Sequence, residues 1–106
     1  MRYKNDKYIK LLKLELINFR PWKILPIEEG LDYAKDLKKR YPKRDLLPFS
    51  MRTDCDDVAC WDSSKEEGKV FIIHDFASEG WEQQGEFKDF DEWFANALDD
   101  MFSFDD

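Results

Sequence analysis

Three carboxylates and a thiol occupy four consecutive positions, Asp54-Cys55-Asp56-Asp57, and the chain's one histidine is His74. Carboxylates this close could supply oxygen ligands to a divalent cation. The twelve-residue calcium-loop pattern is absent, however, because no glycine at its sixth position and no closing glutamate fall in register. The same four residues also describe a solvated turn closed by side chain to backbone bonds, or an acidic docking surface. A cysteine nucleophile would need a cationic neighbourhood to lower its thiol, whereas Cys55 and Cys60 stand among aspartates, which raise it. A zinc site built on the two cysteines and His74 lacks a CxxC knuckle. With no glycine-rich phosphate loop, nucleophile elbow or HExxH, an enzyme is the weaker class, and neither a metal nor a cofactor is expected.

The aromatic residues carry the second signal. Trp22, Trp61 and Trp93 lie within or beside expected elements and read as core. Trp81 differs, because Ser78-Glu79-Gly80-Trp81-Glu82 reads as a turn that presents an indole flanked by two carboxylates. An exposed aromatic in an acidic rim is the composition of an interface anchor for a basic partner. The candidate partner-binding residues are therefore Asp54, Asp56, Asp57, Glu79, Trp81 and Glu82. Base stacking would require basic neighbours, and this stretch has none.

The elements that must position these residues follow from periodicity. Leu12, Leu14 and Leu16 alternate, which favours a strand over 13–19, although Ile9, Leu12, Leu16 and Phe19 also fit a helical face. Pro21 and Pro26 keep Trp22 to Leu25 non-helical. Leu31, Ala34, Leu37 and Tyr41 recur at helical spacing, with acids at the start and bases at the end, so a helix over 28–40 stopped by Pro42 is expected. Strand-length runs at 46–52, 57–62 and 69–76 predict an antiparallel meander, and 81–87 predicts an edge strand with a bulge or early end at Gly85. On 69–76, His74 would share a face with Val70, Ile72 and Phe76, half-buried against a carboxylate or backbone partner, with Asp75 on the other face. Asp89 with Glu92 three residues later marks the start of an amphipathic helix at about 90–102, with Phe90, Phe94, Ala97, Leu98 and Met101 on one face. The expectation is one α+β domain over 1–106, a bent antiparallel sheet of about four to five strands covered on one side by helices.

Composition bounds the rest. The 106 residues carry 17 Lys and Arg against 24 Asp and Glu, a net charge of −7, which repels phosphate backbones and anionic membranes. Charge is also polarised along the chain. Thirteen basic residues fall within 1–45 and seventeen acidic residues within 46–106, which implies either two complementary faces or one strongly electronegative surface. No apolar run exceeds four residues, as in Val70-Phe71-Ile72-Ile73, so neither a signal peptide nor a membrane span is expected. Two cysteines are too few for a disulfide scaffold, and the cytoplasm is the expected compartment.

The strings Pro21-Trp22, Tyr41-Pro42, Leu47-Pro48-Phe49-Ser50, Asp54-Cys55-Asp56-Asp57-Val58-Ala59-Cys60-Trp61, Lys69 through Glu82 and Phe90-Asp91-Glu92-Trp93-Phe94 together resemble bacterial members of the SUKH superfamily, the Smi/Knr-type proteins. The resemblance spans about residues 20–95. It implies an α+β domain with a strongly bent sheet and no catalytic residues. Its implied role is that of an immunity protein, which binds and neutralises a toxin, often a nuclease; the charge pattern read above adds that an acidic surface would suit a basic partner. The resemblance equally covers general interaction modules unrelated to toxins. A small metal-dependent hydrolase using Asp54, Asp56, Asp57 and His74 is the enzymatic alternative.

Overall fold

The computed structural model describes residues 3–104. Its elements run α1 (Asp6–Lys13), β1 (Asn18–Phe19), β2 (Trp22–Ile24), α2 (Ile27–Arg40), β3 (Leu46–Arg52), β4 (Asp57–Asp62), β5 (Val70–His74), β6 (Gln83–Phe87) and α3 (Phe90–Ser103). The six strands form one antiparallel meander in chain order, one or two strands more than expected because the short hairpin β1–β2 extends the sheet.

The segment read as a strand over 13–19 is instead the last residue of α1, a turn and loop over 14–17, and the two-residue strand β1. Asn5 caps α1 by accepting the Tyr8 N–H at 2.9 Å. Tyr8 is wholly buried, with Ile9, Leu11 and Leu12 packed beside it. Leu14 and Leu16, whose alternation suggested a strand, are both about half exposed. Of the helical set, Ile9 and Leu12 reach the core from α1 and Phe19 reaches it from β1, whereas Leu16, common to both sets, does not.

Helices cover both faces of the sheet, not one. Alternate strand residues divide between two clusters, as the pleat requires. Leu47, Phe49, Ala59, Trp61 and Val70 join Tyr8 of α1 and Phe90, Trp93 and Ala97 of α3. Leu46, Val58, Cys60, Phe71 and Ile73 join Leu37 of α2 and Tyr41. This explains why β3 and β4 read as continuous apolar runs. The first cluster is centred on aromatic rings: Phe49 stacks on Trp61 at 4.2 Å and meets Trp93 edge-on at 4.9 Å. Within α3 the fully buried residues are Phe90, Trp93 and Ala97, so the helix turns a slightly different face inward from the expected one, and Phe94 and Leu98 lie at its margin.

Register shifts at Phe49, between the Pro48 and Ser50 pairings, and opposite Ile72 and Ile73 bend the sheet locally. Pro48 is tolerated inside a paired strand at the first of these. Its carbonyl accepts the Tyr3 hydroxyl, and α2 crosses so near that a Cβ on Gly30 would stand 2.7 Å from the same oxygen.

Candidate functional site

The β3–β4 loop and the β5–β6 loop are neighbours. The Asp75 N–H donates to the Asp56 carbonyl at 3.0 Å, and His74 Nδ1 meets Asp57 Oδ1 at 2.8 Å. His74 is thus the half-buried, carboxylate-bonded residue that its strand position suggested. Asp54 pairs with the Arg52 guanidinium through two bonds of 2.8 and 2.9 Å, which hold its carboxyl below the usual range. Because Asp54 turns to Arg52 and Asp57 to His74, no group of three ligating side chains converges among the described residues. Cys60 is buried, and burial pushes its thiol well up, whereas Cys55 is exposed in the loop. Partial burial and the charges of Asp57 and Asp54 raise the Cys55 thiol too, against a lowering backbone bond from Asp57.

The β5–β6 loop, residues 75–82, is held from beneath by the segment that ends α2 and leads into β3. Asp75 is 1% exposed and binds Arg40 through Nε at 2.8 Å and Nη2 at 2.6 Å. It also accepts the Tyr33 hydroxyl at 2.7 Å and the Phe76 N–H at 2.8 Å. Burial raises its carboxyl, but the Arg40, Tyr33 and Phe76 bonds outweigh that and hold it below the ordinary value. The Tyr41 hydroxyl donates to the Ala77 carbonyl at 3.1 Å. Arg44, itself buried, reaches Asp62 at 2.9 Å, Glu82 at 3.1 Å and Gln83 at 3.0 Å, with its guanidinium 5.4 Å from the centre of the Phe71 ring. Residues 40, 41 and 44 therefore pin both ends and the middle of one loop. The sequence signal for this was the basic run around Arg40 and Arg44, which helix polarity alone seemed to account for.

Glu82 corrects the expected surface. It is 7% exposed, bonded to Arg44 and to the Gly80 N–H at 2.6 Å. Its low exposure turns it inward, where burial raises its carboxyl while these bonds bring it below the ordinary value. Asp75, which the sequence placed on the strand with Phe71 and Ile73, lies just past the end of β5 on that same buried side. Phe76, read as the last residue of a strand over 69–76 on the face of Val70 and Ile72, lies past the end of β5, 70% exposed with φ +66°. Trp81 is 77% exposed, as the turn reading required. Its N–H donates to the Ser78 carbonyl at 2.9 Å, and its carbonyl accepts from Gln84. Asp56 and Glu79 are exposed and make no ion pair among the described residues. Beside the loop an open groove of about 410 Å³ is rimmed by Lys43 and Lys65 as well as Glu79, so the acidic character belongs to the loops and not to the groove.

Fold and loops define a small α+β domain, an antiparallel meander between helices, whose distinctive chemistry is a displayed and firmly anchored loop. The chain belongs to the SMI1 / KNR4 family (SUKH-1), whose model matches residues 3–96. No curated protein and no solved structure matches it. Among the described residues no helix is long and apolar enough to cross a membrane.

Proposed function

We propose that the protein is a non-enzymatic, cytoplasmic protein-binding domain of immunity type, which binds and neutralises a toxin through the loops around Asp54, Asp56, Asp57, Glu79 and Trp81. The observation that carries this reading is the Trp81 indole, 77% exposed near Glu79, whose carboxylate makes no ion pair among the described residues, on a loop anchored by the buried Arg44–Glu82 pair and the half-buried Arg40–Asp75 pair. Large exposed aromatics on fixed backbone serve recognition. Asp56 and Glu79 supply the long-range field, Asp54 shares its charge with Arg52, and Asp57 is hydrogen-bonded to His74. A nuclease must attract phosphate, so carboxylates can compete for the same basic site, whereas nucleic acid and anionic lipid are repelled.

The test is to identify the protein retained by the immobilised chain in the native cell, purify it, and measure its toxicity and its affinity with and without added salt. A toxin inhibited at one-to-one stoichiometry, with association slowed by salt, is the expected result. A non-toxic partner would convert the reading to a general interaction module, and a partner whose binding ignores salt would refute the acidic surface.

A further inference from the structure

Phe76 is the residue of the loop that the reading above does not use, and its conformation is costly. A bulky aromatic at φ +66° lies in the left-handed region, where side chains other than glycine's are strained by about 1–2 kcal/mol. The surroundings impose it: Asp75 accepts the Phe76 N–H while gripping Arg40, whose guanidinium lies 4.4 Å from the centre of the Phe76 ring. Phe76 is nonetheless left 70% exposed, and among the described residues no aromatic ring stacks on it. Five residues later Trp81 is displayed in the same way, with Gly80 at φ +94° making the turn and the buried Glu82 fixing its far side. The strained residue is held beside the buried Arg44–Glu82 pair and the half-buried Arg40–Asp75 pair, and its ring covers Arg40 on one side while most of it is turned to solvent.

We propose that Phe76 and Trp81 are paired apolar anchors on a loop locked before the partner arrives, and that they fit a protein face with an apolar pocket rimmed by lysine or arginine. This rests on the protein-binding reading above. The rim chemistry follows from Glu79, which lies between the two rings in sequence, and from Asp56 in the adjoining loop, both exposed and unpaired among the described residues. The charge of Arg40 is already answered by Asp75. A loop fixed by Arg40, Tyr41 and Arg44 loses little freedom on docking, so more of the contact energy appears as affinity.

The experiment uses the full chain and the purified partner identified as above, with association and dissociation followed by surface plasmon resonance. Phe76→Gly removes the ring without demanding a strained backbone, and Trp81→Ser removes the indole. Trp81→Ser is expected to keep the wild-type thermal midpoint and Phe76→Gly to keep or raise it, since glycine relieves the positive φ, and each should raise the dissociation rate about 30-fold, equivalent to about 2 kcal/mol, with the association rate nearly unchanged. Asp56→Asn with Glu79→Gln should do the reverse, slowing association and flattening its salt dependence. Wild-type dissociation in both aromatic variants would overturn the anchors while leaving the protein-binding reading intact. Failure of any purified protein to bind the wild-type chain would overturn both. Binding to phosphatidylcholine vesicles that is lost in the double aromatic variant would overturn the protein partner in favour of a lipid surface.

Discussion

Arg44→Met isolates the clamp beneath the β5–β6 loop. Methionine keeps most of the apolar stem that packs near Phe71 but removes the charge shared by Asp62, Glu82 and Gln83. Taking one partner from a buried ion pair costs about 3–5 kcal/mol, because the opposite charge stays buried without an answer. Here the lower end applies. Asp62 retains the Asp45 N–H at 3.1 Å and the Ser64 N–H and hydroxyl at 2.9 and 2.6 Å, and Glu82 retains the Gly80 N–H. A loss of about 3 kcal/mol at pH 7 would consume a large share of a small domain's stability. The pH dependence has a definite sign. Asp62 and Glu82 are held below their ordinary values of 3.8 and 4.5, so their contribution is complete above those values and is lost as pH falls through the folded ones. The variant lacks the guanidinium that lowers them, so the gap between wild type and variant should be widest at pH 7 and shrink below about pH 4. Urea denaturation of both proteins at pH 7 and pH 3.5 measures it. A cost under about 1 kcal/mol at pH 7, or one that does not change with pH, would refute the buried clamp.

Phe49→Ala should cost about 3–5 kcal/mol, because its ring is wholly buried between Trp61 and Trp93, and Phe94→Ala should cost less, since Phe94 lies at the core margin; chemical denaturation ranks the two. A thiol reagent at pH 8 should modify Cys55 in the native protein and Cys60 only after denaturant is added, so two reactive thiols in the folded chain would contradict the burial of Cys60. Gly30→Ala should destabilise by about 1–3 kcal/mol, read as a lowered thermal midpoint, because its Cβ would meet the Pro48 carbonyl at 2.7 Å, with no flexible backbone to yield.

Elements with strong local signals were legible before the fold was known. The Asp89 cap and the acid-to-base polarity of 28–40 set α3 and α2 to within a residue or two, and the runs at 46–52 and 57–62 match β3 and β4. Signals that depend on tertiary partners were misread. Leu12, Leu14 and Leu16 alternate, but only contact with Trp61 and Phe49 selects Tyr8 and hence a helix. Placement of helices on both faces was implicit in the adjacent apolar pairs of β3 and β4, Leu46-Leu47 and Val58-Ala59-Cys60-Trp61, which alternation-based reading treats as noise. Within the site, Trp81 and the Asp54 to Asp57 turn could be found from composition. Phe76 and Glu82 could not, since one apolar residue is exposed and one charged residue is buried, each because Arg40 and Arg44 reach the loop from a segment more than thirty residues away.

Those arginines also explain the polarised charge of the chain. Basic residues of the first 45 positions pair across the sequence with acids of the rest: Lys4 with Glu67, Lys7 with Asp91, Arg40 with Asp75, and Arg44 with Asp62 and Glu82. The exposed pairs contribute little to stability, but the buried ones fix which loop meets which helix end. Much of the asymmetry is therefore spent on the fold's own complementarity, and only the remainder is available to a partner. Neutralising acids indiscriminately in 46–106 would confound the two uses, since Asp75→Asn or Glu82→Gln would loosen the loop and remove binding without touching the interface. Asp56 and Glu79 belong to the remainder alone. A change confined to them that alters association but not stability is what distinguishes recognition from scaffolding in this domain.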